Sequence, residues 1–147
     1  MFKLSTRGRY GTRLMMELAL NYGKGPVPLK DVALKQDVSK GYLEHIIPLL
    51  RAAGLIKSVR GPDGGYILSR EPEKVNLMDI IGALEGSLDP VDCISHSSFC
   101  SRTGFCVPRD IWIELKETVS NKLKGITLSD LVNKQNRKAG SDQTWFD

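Results

Sequence analysis

The hydrophobic pattern changes its period near Gly54, and this change constrains the fold more than any other feature of the chain. Before Gly54, apolar residues recur every three or four positions in three separate segments, which is typical of helices. After it, two short runs rich in strand-forming residues flank Gly61-Pro62-Asp63-Gly64-Gly65, a strong turn signal. The expected strands cover residues 56–60 and 66–70. The pattern therefore predicts three helices followed by a β-hairpin.

The three expected helices cover residues 6–22, 29–36 and 40–53, and the last two are separated only by a tight turn. Ser39 stands where an N-cap belongs, because its hydroxyl can accept a hydrogen bond from a free backbone N–H. Gly54 suits the position just after the third helix. Two short helices joined by a tight turn, then a hairpin, indicate a winged helix-turn-helix, whose third helix fits the roughly 12 Å-wide major groove of DNA.

The second half of the chain reads differently. A fourth helix is expected over residues 77–85, an irregular stretch over 87–107, a long helix over 108–124 and a short final helix after Thr127. The long helix carries a narrow apolar stripe, of the width that a helix–helix seam needs. We therefore expect a mainly α-helical fold with a small β-hairpin, in four parts. These are a DNA-binding domain (1–75), a helix with a cysteine-containing loop (76–107), a dimerisation helix with a short final helix (108–135) and a polar tail (136–147).

Charge is distributed unevenly between the two halves. Residues 1–75 hold 13 Lys and Arg against 7 Asp and Glu, whereas residues 76–147 hold 8 against 10. A basic half indicates a module that binds a polyanion, although a solvated basic surface would give the same counts. No apolar run approaches the length of about 20 residues that a membrane span needs, and the N-terminus lacks an apolar signal core. The expected compartment is the cytoplasm.

The groove-facing side of the third helix should carry residues able to contact phosphates or base edges. Ser39 and Tyr42 can bond phosphates, and Glu44 can accept a hydrogen bond from a cytosine amino group. The alternative for Glu44 is a simple ion pair with a nearby lysine. Arg60 at the tip of the hairpin suits a narrow minor groove, and arginines on the first helix would neutralise phosphates. The candidate DNA-contacting residues are Arg7, Arg9, Ser39, Lys40, Tyr42, Glu44, His45, Arg60 and Gly61, with Arg13 as a further phosphate neutraliser.

All three cysteines of the chain, Cys93, Cys100 and Cys106, lie in the irregular stretch, with the spacing C-x6-C-x5-C. In a reducing compartment such thiols favour metal or redox chemistry over disulfides. Thiolates are ligands for iron–sulfur clusters and for zinc. From the residues alone, an iron–sulfur cluster, a zinc site and unmetallated thiols all remain open.

Several segments carry a resemblance to one family. They are Leu4-Ser5-Thr6-Arg7-Gly8-Arg9-Tyr10, Val27-Pro28-Leu29-Lys30-Asp31-Val32-Ala33, Ser39-Lys40-Gly41-Tyr42-Leu43-Glu44, Leu50-Arg51-Ala52-Ala53-Gly54-Leu55-Ile56, Ser58-Val59-Arg60-Gly61-Pro62-Asp63-Gly64-Gly65-Tyr66 and Ile126-Thr127-Leu128-Ser129-Asp130-Leu131. Together with the cysteines, they resemble the IscR/NsrR/CymR/RirA family of bacterial winged-helix transcription regulators over residues 1–135. The resemblance implies a homodimer joined along the long helix, binding palindromic promoter sites in double-stranded DNA. It also implies DNA contacts at Tyr42, Glu44 and Arg60, whereas Gly41 departs from a frequent serine.

The resemblance also implies an iron–sulfur cluster at the three cysteines, with [2Fe–2S] favoured and [4Fe–4S] as the alternative. The IscR branch has a histidine ligand where this chain has Arg109, which cannot ligate. The acidic ligand of the NsrR branch is also missing, so His96 and Asp110 are the nearest candidates for a fourth position, with a small-molecule thiol or water as the alternative. We therefore expect a regulator that senses cluster status, iron or redox stress. The alternative is a cluster-free regulator of the CymR kind, controlled by a protein partner or by thiol redox chemistry.

An enzyme is not expected. The chain has no phosphate-binding loop, no HExxH motif and no G-x-S-x-G motif, and it holds only two histidines.

Overall fold

The computed structural model describes residues 3–142, apart from the side chains of Phe99, Ser141 and Asp142. Short 3₁₀ turns lie at Pro72–Lys74 and Ser97–Phe99. The main elements in chain order are α1 (Thr6–Leu20), α2 (Leu29–Gln36), α3 (Lys40–Ala52), β1 (Ile56–Val59), β2 (Gly65–Leu68), α4 (Leu77–Glu85), α5 (Val107–Lys124) and α6 (Leu128–Asp142). The mainly helical fold with one hairpin confirms the predicted fold class.

Helix α1 lies at the centre of the domain and packs against α2, α3, α4 and α6. Ser5 caps it by accepting a hydrogen bond from the backbone N–H of Gly8 at 3.1 Å, which satisfies one of the free donors of the first turn. Leu14, Met15 and Leu18 point into the core and are almost fully buried. Because α1 contacts four other helices, its position fixes theirs.

The helix-turn-helix forms as the sequence predicts. Helix α2 ends at Gln36, and the next residue, Asp37, has a left-handed φ of 51°. The N–H of Val38 bonds back to the carbonyl of Ala33 at 3.1 Å. The Ser39 hydroxyl then accepts from the N–H of Tyr42 at 3.1 Å and caps α3. The inner face of α3 buries Leu43, Ile46, Ile47 and Leu50. The outer face of α3 is thereby left toward solvent.

The wing consists of β1, β2 and the turn between them, residues 56–68. The strands pair antiparallel in a register that runs from Ile56 opposite Leu68 to Val59 opposite Gly65. Gly61 has a φ of 114°, which favours glycine, and its carbonyl accepts from Gly64 N–H at 3.0 Å. Two backbone hydrogen bonds of 2.9 Å join Val27 to Tyr66. They anchor the wing to the segment that precedes α2.

Helices α4 and α6 begin side by side, each with a reciprocal cap. Asn76 and Asp79 form one capping box, and Thr127 and Asp130 exchange the equivalent two hydrogen bonds. The N–H of Leu128 bonds to the carbonyl of Val75 at 2.8 Å, and both side chains are fully buried. The chain therefore leaves the core after α4, passes through the cysteine-containing segment and α5, and returns to the core where α6 begins.

The final helix is longer than the predicted short helix with a polar tail. Helix α6 continues through Asp142, because the residues after Asn133 include no proline and are mostly good helix formers. These residues are polar because this part of the helix is exposed to solvent, and their polarity does not mark the end of the helix. Residues 143–147 of the predicted tail lie outside the described residues. Within residues 3–142, no helix is long and apolar enough to cross a membrane.

We predict that Gly11→Ala destabilises the fold by about 1–3 kcal/mol. A Cβ at Gly11 would overlap Cδ1 of Leu84, a fully buried side chain, so the surrounding core would have to repack. The measurement is the free energy of unfolding from urea denaturation. The matched control is Gly41→Ala on α3, where nothing lies within 4 Å of the added atom. It should stabilise the helix by about 0.5–1 kcal/mol, as expected for alanine in place of glycine. Equal effects of the two changes would contradict close packing at Gly11.

Candidate nucleic-acid interface and cysteine loop

The outer face of α3 brings together most of the predicted recognition residues. Ser39, Lys40, Glu44 and His45 are all exposed, next to one another on the first two turns. The Ser39 oxygen already accepts the capping hydrogen bond from Tyr42. Its own O–H is still available to donate to a phosphate.

Tyr42 differs from these neighbours because it is only half exposed. It packs against the hydrophobic core, and its ring meets that of Tyr10 edge-on, with centroids 5.8 Å apart and planes at 74°. Such an edge-to-face arrangement is a favourable one for aromatic pairs. The ring of Tyr42 is therefore fixed by α1, and its direction depends on that helix.

Glu44 lies near a lysine, as the alternative interpretation anticipated. The Lys40 ammonium is 3.9 Å from the Glu44 carboxylate, and the two side chains are 60% and 58% exposed. An exposed pair four residues apart on a helix contributes only about 0.3–0.5 kcal/mol. This contact leaves Glu44 available for other partners.

The wing and α3 border the same shallow groove. Arg60 and Gly61 are exposed at the tip of the wing. The groove between α3 and the wing is lined by Pro28, Leu29, Lys30, Lys40, Glu44, Gly64, Gly65 and Tyr66. A concave surface with two lysines and a flanking arginine suits a polyanion.

The arginines of α1 do not behave alike. Arg7 and Arg9 are exposed, and Arg9 makes one long hydrogen bond of 3.4 Å to the Thr6 hydroxyl. Arg13 instead donates to Gln36, at 2.5 Å to the side-chain oxygen and 3.1 Å to the backbone oxygen. The predicted phosphate role is therefore open for Arg7 and Arg9, whereas Arg13 is already engaged within the protein.

The cysteine loop, residues 87–106, joins α4 to α5. Cys93 and Cys106 are partly buried, Cys100 is exposed, and all three are free thiols. Within the described part of the chain, no three His, Cys, Asp or Glu side chains are placed to hold a metal ion. The donor atoms are of the right type for an iron–sulfur cluster, but this arrangement of the loop does not gather them.

Arg109 ties the loop to the start of α5. Its Nε donates to the backbone carbonyl of Cys93 at 3.3 Å. The candidate fourth ligands, His96 and Asp110, are both exposed. Arg109, which stands where the IscR branch has a histidine, thus binds the backbone of Cys93.

An ion pair that the sequence did not reveal ties the loop to the middle of α5. The Lys116 ammonium is 2.6 Å from a carboxylate oxygen of Asp89, whose side chain is only 7% exposed. The other oxygen accepts a hydrogen bond from Ser95. The hydrogen bond from Lys116 holds the pKa of Asp89 below its usual value, against the opposing effect of burial. Asp89 is therefore ionised at neutral pH.

Helix α5 keeps an apolar face uncovered. None of its residues is buried, and Ile111, Trp112 and Leu115 are 51%, 40% and 44% exposed. Phe105, just before the helix, and Val107, its first residue, are exposed apolar residues as well. Contiguous exposed apolar residues of this kind mark interaction surfaces.

This geometry defines a winged helix-turn-helix protein with an appended cysteine loop. The Rrf2 family profile, described as iron-dependent transcriptional regulator, matches residues 4–134. The chain belongs to this family. It is thus a transcription regulator and not an enzyme.

Proteins named CymR and proteins named IscR are both similar to this chain. The chain is 40% identical to the HTH-type transcriptional regulator CymR of Bacillus subtilis, over 89% of this chain and 90% of the relative. It is 37% identical to the regulator IscR of Escherichia coli O1:K1 / APEC, over 90% and 82%. Among solved structures, CymR of B. subtilis superposes with a TM-score of 0.77 at 40% identity, covering 91% of this chain and 98% of that one. IscR of T. potens gives 0.74 at 43%, covering 90% and 88%.

Proposed function

We propose that this chain is a homodimeric regulator that reads palindromic promoter DNA in the cytoplasm, and whose cysteine loop responds to iron–sulfur cluster status, iron or redox stress. The observation that carries the DNA-reading part is the shared groove between the exposed face of α3 and the wing. A helix and a hairpin tip side by side suit the major groove and the neighbouring minor groove.

Each exposed group in the interface has a chemical role that fits duplex DNA. Lys40, Arg7 and Arg9 neutralise phosphates, and the Ser39 and Tyr42 hydroxyls donate to phosphate oxygens. Arg60, next to the flexible Gly61, enters the minor groove. His45 and Glu44 face the base edges.

Glu44 is the residue proposed to discriminate between sequences. A carboxylate that approaches DNA is repelled unless it accepts a hydrogen bond, and the cytosine amino group is the base-edge donor it fits. The Lys40 contact is too weak to explain an acidic residue on this face. The carboxylate is thus tolerated where cytosine is present and penalised elsewhere.

The apolar face of α5 is proposed as the dimer seam. The face is uncovered in the described chain, and its spacing of three and four residues fits a second helix of the same kind. Two copies joined there carry two α3 helices, which suits half-sites about one helical turn apart. A palindromic site follows from the two-fold symmetry.

Cys93, Cys100 and Cys106 are the residues that would hold the cluster. Thiolates are its usual ligands, and the family description names iron. Three cysteines leave one position for another donor. His96 and Asp110 are the candidates for it, since an imidazole or a carboxylate can ligate and the guanidinium of Arg109 cannot. A bound cluster would supply redox-active iron held by the thiolates of Cys93, Cys100 and Cys106.

The loop's own contacts indicate how its state reaches the DNA surface. A rearrangement that gathers the three thiols would act on a loop that is held by the Arg109–Cys93 and Lys116–Asp89 contacts. Both contacts end on α5, which packs on α4, and α4 packs on α1. A coupling free energy of about 1–3 kcal/mol between the loop and the interface is enough to switch a promoter.

A second candidate is a cluster-free regulator controlled by thiol redox chemistry or by a protein partner. It is favoured by the exposure of the Cys100 thiol, which leaves it accessible to an oxidant or a partner. The similarity to proteins named CymR supports this second candidate as much as the similarity to proteins named IscR supports the first.

We predict that Glu44→Ala relaxes sequence discrimination. Duplexes selected by the wild-type protein from a random pool are the probe. Replacing each cytosine in turn should cost the wild-type protein about 1–3 kcal/mol at the position that Glu44 reads, and the variant close to nothing there. Glu73→Ala, an exposed carboxylate outside the interface, should behave as wild type. If the Glu44 variant ranks the duplexes by affinity in the same order as the wild-type protein, the proposed role of Glu44 is wrong.

Iron and acid-labile sulfide, measured on protein purified without oxygen, test the cluster directly. We expect matched iron and sulfide with a visible absorption band. Both should be lost on replacing Cys93, Cys100 or Cys106 by serine and retained in Ser101→Ala, a control in the same loop. A colourless, iron-free protein whose DNA affinity changes on thiol oxidation would establish the cluster-free candidate instead. Cysteine variants that match the wild type in iron content and DNA affinity under every condition would contradict both.

A further inference from the structure

We infer that Arg13 is a positioning residue for the recognition helix and does not contact DNA phosphates. The inference rests on the proposed DNA-reading role of α3. Arg13 lies on the exposed side of α1, where a free arginine would serve as a phosphate contact. Arg13 instead contacts α2 and Tyr10, and these contacts hold neighbouring elements in position.

On one side, Arg13 holds the end of α2. Its guanidinium donates to both the side-chain and the backbone oxygen of Gln36, the last residue of α2. Carbonyls at a helix C-terminus lack intrahelical partners and carry partial negative charge, which a cation stabilises. The next residue, Asp37, is the left-handed residue that turns the chain toward α3.

Gln36 is held from a second direction as well. Its side-chain amide donates to Glu17 at 2.8 Å, and Glu17 is a buried carboxylate that also receives Lys35 at 3.5 Å. Glu17 and Arg13 lie one turn apart on α1. The amide is therefore clamped between an acceptor and a donor of the same helix, and this fixes the turn relative to α1.

On the other side, Arg13 supports the first turn of α3. The guanidinium carbon lies 5.1 Å from the centre of the Tyr10 ring, within the range of a cation–π contact. The Tyr10 ring in turn meets Tyr42 edge-on. Arg13, Tyr10 and Tyr42 thus form a continuous row from α1 to the DNA-facing side of α3.

The geometry requires an arginine and not merely a positive charge. A planar guanidinium can donate in two directions while its face rests on a ring, whereas a lysine ammonium is a compact point charge. Lysine at position 13 would keep the positive charge but would lose the paired hydrogen bonds to Gln36 together with the stacking on Tyr10. A phosphate contact would largely survive that exchange.

The test is binding of a duplex selected by the wild-type protein, measured against salt concentration alongside an unrelated duplex. We expect Arg13→Lys and Arg13→Met to weaken binding of the selected duplex equally, by about tenfold, the scale of losing charge-assisted hydrogen bonds and a cation–π contact. Affinity for the unrelated duplex and the salt slope should not change. Arg9→Met, a matched loss of charge on the same helix, should reduce the slope by about 0.9.

Tyr10 supplies a second, independent pair of variants. Tyr10→Phe keeps the ring and should bind the selected duplex as wild type does, whereas Tyr10→Leu should show the same loss of specificity as Arg13→Lys. Circular dichroism on each variant establishes that it is folded.

The inference is overturned if Arg13→Lys retains wild-type affinity while Arg13→Met lowers the salt slope, because that is the behaviour of a phosphate contact. It is also overturned if the Arg13 and Tyr10 variants change only the melting temperature. A wild-type protein that selects no duplex would remove the proposed DNA function itself, a result distinct from either.

Discussion

The close approach of α1 to the last turn of α4 is the constraint on which the other parts depend. Gly8 and Gly11 have no side chain, and a Cβ at either would overlap Glu85 or Leu84. The contact is also polar, because the Glu85 carboxylate accepts hydrogen bonds from the Ser5 N–H at 2.9 Å and from its hydroxyl at 2.6 Å. A carboxylate at the N-terminus of a helix is further stabilised by the helix dipole.

This junction joins α1 of the winged helix-turn-helix to α4, the helix that leads into the cysteine loop. Glu85 is the last residue of α4, and the cysteine loop begins two residues later. The N-terminus of α1, which Glu85 holds, carries Arg7 and Arg9. Farther along α1, Arg13 and Tyr10 hold the turn and the first residues of α3. In the proposed mechanism, a displacement of α4 reaches the proposed phosphate-contacting and base-reading elements through α1.

Much of the fold could be predicted because its signals are local. The left-handed Asp37, the Ser39 cap and the Asn76 cap each depend on a few neighbouring residues, and the predicted limits of α2 and α4 agree with the structure. The family was likewise evident from short segments. The predicted length of α6 is wrong, because polar residues after Asn136 do not end a helix when most of them are helix formers.

The contacts that organise the site were harder to predict because they join residues far apart in the chain. Nothing near Asp89 indicates that it pairs with Lys116, and the role of Arg13 depends on Gln36, 23 positions away. One signal was available: Glu17 lies on the buried face of α1, between Leu14 and Leu18, and a buried carboxylate needs partners. Searching for those partners would have led to Gln36.

Coupling between the loop and the DNA surface is tested most directly by the affinity of the wild-type protein for its selected duplex with the loop in two states. The protein is purified without oxygen in one sample, and stripped of iron with its thiols oxidised in the other. If α1 and α4 transmit the state of the loop, the two dissociation constants should differ by about 5–150-fold. Equal dissociation constants, in samples whose iron content or thiol count demonstrably differs, would contradict the coupling.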